Sequence, residues 1–147
     1  FPEFGELNDI LIRTTGNAEP QPDVITGGDQ IIAMQAVVRD VPLPSNVADY
    51  VSRLVVATHP SYSSNRLVQD YVRYGASPRG GQAMILGAKA NALMDGRYNV
   101  SFDDIAAIAH AALRHRLLLN FEGLAEGISP DQIVADLLQS VVRDING

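Results

Sequence analysis

The chain has 147 residues, a formal net charge of −6 and no cysteine. The acidic balance argues against a nucleic-acid surface, which needs a basic stripe, and the lack of cysteine excludes disulfides and thiolate metal sites. No apolar run reaches the roughly 20 residues of a membrane span, and no signal peptide is recognised. Because the chain does not begin with methionine, we expect an excised piece of a longer protein, and a cysteine-free composition fits a cytoplasmic one.

Apolar residues at helical spacing predict two helices in the first part of the chain. The first is expected over about residues 3–15 and the second over about residues 28–39, with Asp29 in its first turn. The segment 16–28 contains prolines and glycines, so we expect a surface connector there. Val41–Pro44 is expected to be extended, because proline disfavours helical geometry in the residue before it.

A third helix is predicted from its N-cap Ser45 to about Thr58, because its apolar residues recur at helical spacing. The polar segment 61–74 is expected to be a loop with room for one helical turn. A long central helix is then predicted from the N-cap Ser77 to about residue 95, ending at Gly96. The residues expected to line its buried face are Ala83, Leu86, Ala90 and Leu93, and Met84, Ile85 and Ala88 are expected to widen that face.

Two further helices have well-marked starts. Ser101 and Asp104 have the spacing of a capping pair, and residues 117–119 either continue that helix or form a short extended piece. The last helix is predicted from Ser129, which is followed by Pro130 at the first helical position. Its predicted buried face consists of Val134, Leu137, Leu138, Val141 and Ile145. No strand pattern is convincing, so the predicted fold class is all-α, a helical bundle.

The start of the central helix breaks the usual rules for a first turn. Ser77 suits the N-cap and Pro78 the first helical position. The only charge that follows is the cation of Arg79, although the end of a helix that presents free N–H groups favours anions. Gly80 and Gly81 then disfavour a helix, although they could also let another backbone pack closely. A cation beside free N–H groups suits a phosphate.

Residue types alone leave the functional residues open. Arg79 fits a functional cation and an ordinary solvated side chain equally well. Arg97 and the basic group Arg114–Arg116 are typical of solvated helix ends that complement the helix dipole. His110 and His115 are five positions apart and would not share a helix face, so no metal site is predicted.

Short motifs in a fixed order resemble the lid region of MoxR-type AAA+ ATPases. Glu6–Leu11 is similar to the helix that ends the nucleotide-binding core of that family, and Tyr50 and Val55–Thr58 also fit. His59 departs from the pattern, which has a basic residue, usually arginine, at that position. The core itself, with its phosphate loop, is missing. The motifs that carry the resemblance are Gly75–Arg79, Gly87–Ala90, Asp95–Tyr98, Asp103–Ile105 and Leu113–Arg116.

The resemblance implies an AAA+ lid-type domain at residues 41–147, preceded at residues 1–40 by the end of the AAA+ core and connecting helices. It also implies that Arg79, at a helix end set by Ser77 and Pro78, reaches the γ-phosphate of ATP. In the parent protein the core would hold ATP with Mg²⁺, and Arg79 would have a catalytic role by stabilising charge on the transferring phosphoryl group. Nucleotide state would thereby be coupled to lid movement. The piece alone is not expected to hydrolyse ATP, whereas the parent is expected to be a chaperone-like ATP hydrolase.

The partners that the resemblance implies are the chain's own AAA+ core, the other subunits of a homo-oligomeric ring, and von Willebrand factor A domain proteins. In such a ring Arg114, His115 and Arg116 are implied to face a neighbouring subunit. An alternative class is a helical protein–protein interaction module without nucleotide binding, which an exposed apolar patch away from Arg79 would favour. A helix-turn-helix DNA reader is disfavoured by the acidic balance, so neither nucleic acid nor membrane is an expected partner.

Overall fold

The computed structural model describes residues 1–17 and 21–141, and the elements found there confirm the predicted all-α class. The chain divides into two compact units, Phe1–Ile32 and Ala33–Gly147. The predicted burial of Ile145 and part of the predicted connector, residues 18–20, lie outside the described residues.

The helices are α1 (Phe4–Thr14), α2 (Gly28–Asp40), α3 (Ser45–Ala57), α4 (Arg66–Tyr71), α5 (Pro78–Met94), α6 (Phe102–Leu113), α7 (Phe121–Ala125) and α8 (Pro130–Ser140). The strands are β1 (Val72–Tyr74) and β2 (Leu118–Leu119).

Helices α1 and α2 form where the sequence predicted them. At the start of α1, Glu3 and Glu6 form a reciprocal capping box, which satisfies backbone N–H groups that a helix start leaves free. Neither α1 nor α2 buries a side chain. The apolar faces that predicted both helices are therefore exposed to solvent in this chain.

Helix α3 buries the predicted stripe of Val47, Tyr50, Val51 and Leu54. Its start differs from the prediction, because Pro44 is the N-cap and Ser45 is already helical. Proline at this position is extended, with φ −60° and ψ 143°, and fixes the direction in which the chain enters the helix. The Tyr50 ring meets Phe102 of α6 edge to face, with ring centroids 5.3 Å apart.

The segment 61–74, predicted as a loop with room for one helical turn, contains the six-residue helix α4 and also the strand β1. Asn65 caps α4 by accepting a hydrogen bond from the Val68 N–H, and β1 pairs antiparallel with β2 through Val72 and Leu119. The short helix α7 was also missed; its cap is Asn120, which accepts from the Gly123 N–H. These elements depend on pairing between residues far apart in sequence, which local hydrophobic periodicity does not register.

Helix α5 packs against α3 and α6, as its predicted central position requires. Its buried face agrees in part with the prediction, because Met84 and Ala88 are fully buried, whereas Leu86 is 38% exposed. At Gly87 an added Cβ would lie 2.7 Å from Ile108 Cγ2 of α6, which shows how closely the two helices approach. Four of the five buried residues of α5 are small, as the close approach requires, and the fifth is methionine: Gly80, Gly81, Met84, Ala88 and Ala92.

We expect Gly87→Ala to lower the free energy of unfolding by about 1–3 kcal/mol, because α5 and α6 must separate to admit the new methyl group. Thermal or denaturant unfolding measures the change. Gly5→Ala is the control, since Gly5 is also helical and an added Cβ there meets nothing within 4 Å. That substitution should be neutral or stabilising, and equal destabilisation by both variants would contradict the packing argument.

The last two long helices begin as predicted. Ser101 and Asp104 form a capping box at α6, and Ser129 and Gln132 form another at α8. Helix α8 buries Val134 and Leu137 as predicted and also Ile133, which the prediction omitted. Leu138 and Val141 are partly buried against the same core.

Arg97 is not the solvated helix-end arginine that the sequence predicted. It binds both oxygens of Asp104, with Nη1–Oδ2 at 2.7 Å and Nη2–Oδ1 at 2.5 Å, and it also reaches Asp95 at 3.0 Å. Asp104 is only 2% exposed and accepts further hydrogen bonds from Ser101 and Asn91. Arg97, Ser101 and Asn91 together hold the pKa of the Asp104 carboxyl well below its usual range. This ion pair, in which Asp104 is buried and Arg97 is partly exposed, joins the end of α5 to the start of α6.

Candidate functional site

The candidate site is the start of α5, where the structure places the predicted residues Ser77, Pro78 and Arg79 together. Ser77 is the N-cap, with φ −72° and ψ 170°, and Pro78 is the first helical residue. Unlike Ser101 and Ser129, Ser77 accepts no side-chain cap hydrogen bond. The first turn contains no acidic residue. This end of α5 therefore lacks the negative groups that stabilise the starts of α6 and α8.

Arg79 is exposed and, within residues 1–17 and 21–141, has no hydrogen-bond or ion-pair partner. A lone cation at this end of a helix costs roughly 0.3–1 kcal/mol, because it faces the positive end of the helix dipole. The guanidinium can donate up to five hydrogen bonds in a planar fork that matches a phosphate or a carboxylate. An anion at this corner would satisfy both the side chain and the helix end.

The two glycines that follow have a packing reason for being there. An added Cβ at Gly80 would lie 3.2 Å from Leu113 Cδ2 of α6, and one at Gly81 would lie 3.3 Å from Val55 Cγ2 of α3. The first turn of α5 is thus packed closely between α3 and α6. The unusual glycine pair reflects this packing, whereas the position of Arg79 is not explained by any contact in the described part of the chain.

The basic residues after α6 point in different directions. Arg116 lies beside the first turn of α5, with its Cδ 3.4 Å from the place of a Cβ on Gly80. Its Nη1 donates to the Ala112 carbonyl at 2.6 Å and contacts Nε2 of His115. Arg114 instead pairs with Asp131 of α8 at 3.2 Å. Of this basic group, only Arg116 is shown by its contacts to lie against the start of α5.

Asp131 also binds His110, whose Nδ1 lies 2.9 Å from the carboxylate oxygen that Arg114 contacts. The His110 and Arg114 side chains thus share one acceptor between α6 and α8. His110 and His115 have different partners, Asp131 and Arg116. Across the described ranges, no group of three or more histidine, aspartate or glutamate side chains could hold a metal ion.

Two residues that sequence reasoning did not assign to the site hold the loop before α5. Thr58 Oγ1 accepts a hydrogen bond from the Ala76 N–H at 2.9 Å, and His59 Nε2 lies 3.0 Å from the Ala76 carbonyl oxygen. Thr58 is completely buried. Its position on the apolar stripe of α3 was the available signal, because a polar residue there needs an internal partner.

An open groove of about 350 Å³ lies between α4 and α8, and no predicted site residue lines it. Leu67 and Ile128 supply its apolar wall, and Asp136 and two glutamines supply polar groups. In the parts of the chain that are described, no helix has the length and apolar character to cross a bilayer.

Comparison with known proteins gives concordant results. Residues 64–137 match the family described as AAA lid domain. The chain is 32% identical over 142 residues to Chaperone MoxR1 of Mycobacterium tuberculosis, covering 96% of this chain and 37% of that protein. It is 30% identical over 144 residues to the uncharacterized protein YeaC of Bacillus subtilis, covering 96% of this chain and 42% of that protein.

A solved structure has the same fold. The crystal structure of a candidate ATPase from Cytophaga hutchinsonii aligns with 98% of this chain and 44% of its own, with a TM-score of 0.83 and 29% identity. The chain therefore spans less than half the length of each of these relatives.

Proposed function

The chain belongs to the AAA lid domain family and is of the MoxR type, and on this basis we propose that it is the lid of an AAA+ ATPase. In this proposal residues 41–147 form the lid, and residues 1–40 contain the end of the nucleotide-binding core and connecting helices. Arg79 reaches from the lid to the γ-phosphate of ATP. ATP binding draws the lid toward the core, and hydrolysis releases it.

The observation that carries this proposal is the exposed guanidinium of Arg79, which has no partner in the described chain and stands at a helix start without acidic residues. Guanidinium groups and helix N-termini both favour phosphate. The residues of this corner therefore fit the terminal phosphate of ATP. Mg²⁺ would be held with ATP by groups of the core, and it would offset the negative charge of the triphosphate.

The same proposal includes the assembly of the full-length ATPase and its partners. The lid packs with its own AAA+ core, and the full-length ATPase forms a homo-oligomeric ring in which Arg114, His115 and Arg116 face the neighbouring subunit. One relative is named a chaperone, which supports a chaperone-like remodelling activity. We propose the cytoplasm as its location. Proteins with von Willebrand factor A domains are proposed partners of the assembled ring.

The discriminating test is the preference of the full-length protein for ATP over ADP. We expect Arg79→Ala to weaken the binding of a non-hydrolysable ATP analogue about tenfold or more, because one charge-assisted hydrogen bond contributes about 1.5–3 kcal/mol. ADP lacks the phosphate that Arg79 contacts, so its affinity should change less than about twofold. Titration calorimetry measures both affinities.

Arg66→Ala is the matched control. Arg66 is also an exposed arginine in the first turn of a helix, and it too has no partner in the described ranges. Its removal should leave both affinities unchanged. If Arg79→Ala changes the affinities for the ATP analogue and for ADP equally, or changes neither, Arg79 does not bind the γ-phosphate.

An interaction module without nucleotide binding is the second candidate function. It is favoured by α1 and α2, which bury no side chain and expose large apolar residues such as Ile10, Ile12 and Ile32. Such surfaces are typical of protein-binding sites. The two functions separate in the same titration, because an interaction module would give no nucleotide binding that depends on Arg79.

A further inference from the structure

Both backbone polar groups of Ala76 are bound by the two residues that follow α3. The Ala76 N–H donates to Thr58 Oγ1 at 2.9 Å, and the Ala76 carbonyl lies 3.0 Å from His59 Nε2. Because a carbonyl oxygen only accepts, Nε2 of His59 must carry the proton. Ala76 and Thr58 are fully buried, so water does not compete for the hydrogen bond between them.

The Thr58 hydroxyl is oriented for this contact. It donates its own proton to the Val55 carbonyl at 2.6 Å, which leaves a lone pair to accept from Ala76. At the preceding residue, a Cβ on Gly75 would lie 2.6 Å from the Thr58 carbonyl oxygen. The loop therefore passes the end of α3 with no room for a side chain at Gly75, four residues before Arg79.

We propose that Thr58 and His59 form a latch that positions Arg79 for contact with the nucleotide. This inference rests on the proposed function. The Arg79 side chain has no partner in the described chain. The location of its guanidinium group therefore depends on the position of the Arg79 backbone. That backbone is fixed by the latch on Ala76 and by the packing of Gly80 and Gly81. Thr58 and His59 are positioning residues, since they act through Arg79.

A double-mutant cycle in the full-length protein tests the latch. Thr58→Val removes the hydroxyl and keeps the branched shape, and we expect it to lower the kcat of ATP hydrolysis about tenfold, because small misplacements of a reacting group have large effects on rate. The KM for ATP should change less. In the Arg79→Ala background the same substitution should lower kcat less than about twofold, because the arginine that Thr58 positions is no longer present.

Three further variants separate positioning from loss of stability. Thr58→Ser keeps the hydroxyl and should restore most of the hydrolysis lost in Thr58→Val. His59→Ala, at a partly exposed position, should lower kcat in the same direction and also lose its effect without Arg79. Gly87→Ala weakens the α5–α6 packing away from the latch, and should lower the melting temperature without a comparable loss of kcat.

The outcomes distinguish the two proposals. Non-additive loss of kcat with rescue by Thr58→Ser supports the latch. Additive losses in both backgrounds, or losses that follow the melting temperature in every variant, overturn it while the role of Arg79 stands. Full activity in Thr58→Val and His59→Ala, with loss in Arg79→Ala, also overturns it. If Arg79→Ala hydrolyses ATP at the normal rate, the proposed function fails and the latch role fails with it.

Discussion

ATP hydrolysis by the full-length protein is expected to fall about 100-fold or more when Arg79 is replaced by alanine. A guanidinium that contacts the transferring phosphoryl group stabilises the charge of the transition state, and removal of a single such donor costs about 10²–10³ in kcat. Arginines that serve phosphoryl transfer reach larger effects. A coupled phosphate-release assay at saturating ATP measures kcat directly.

The fold should be unaffected by this substitution. Arg79 is exposed and unpaired among the described residues, so we expect a change in unfolding free energy within about 0.5 kcal/mol. Removal of a cation from this end of α5 even favours the helix. Arg79→Lys keeps the charge without the planar fork and should give intermediate activity. Hydrolysis by Arg79→Ala within twofold of the native rate would refute the catalytic role.

The second large effect is on stability. Asp104→Ala should lower the free energy of unfolding by about 3 kcal/mol, because Asp104 is 2% exposed and its removal breaks an ion pair, a helix cap and a hydrogen bond to Asn91. The exposed neighbour Asp103 is the control, and Asp103→Ala should cost less than about 1 kcal/mol. Urea unfolding measures both. Equal effects at the two positions would contradict the structural role of Asp104.

The contribution of Asp104 should depend on pH with a definite sign. Its pKa is lowered in the folded protein from an ordinary value of 3.8, so its stabilising effect is fully present above that value. The effect is lost as pH falls toward the folded-state pKa. The difference in unfolding free energy between the native protein and Asp104→Asn should therefore be constant near neutral pH and shrink below about pH 4. A difference independent of pH down to pH 2 would contradict this account.

The starts of α6 and α8 could be predicted because their signals are local. The capping residues Ser101 and Ser129 lie three positions before their partners, and Pro130 suits only a first turn. The extended piece at residues 117–119 was one of two predicted alternatives, but its pairing with β1 could not be predicted, because Val72 and Leu119 stabilise each other only after the chain has brought them together. Arg97 was misjudged for the same reason, since its binding to a buried Asp104 depends on how α5 and α6 meet.

The buried face of α5 shows a different limit of sequence reasoning. Hydrophobic periodicity included Leu86, which is exposed, and omitted Gly80 and Gly81, which contribute almost no hydrophobicity but are buried. Small residues are chosen there by the distance between helices. In the candidate site, Arg79 could be singled out because its charge conflicts with its position in the helix. The partners of Ala76 were missed: Thr58 gave a signal as a polar residue on an apolar stripe, but nothing in the sequence pointed to Ala76 as its partner.

The closely packed start of α5 has a mechanical consequence. With glycines against α3 and α6 and the preceding loop bound to Thr58, we expect a pull on Arg79 to move α5 as a whole and not to bend its first turn alone. Helix α5 has 17 residues and is about 25 Å long, so a tilt of roughly 10° about its start would displace its far end by about 4 Å. Because Arg97 joins that end to Asp104 of α6, the proposed contact of Arg79 with a phosphate would transmit a small movement through α5 to α6.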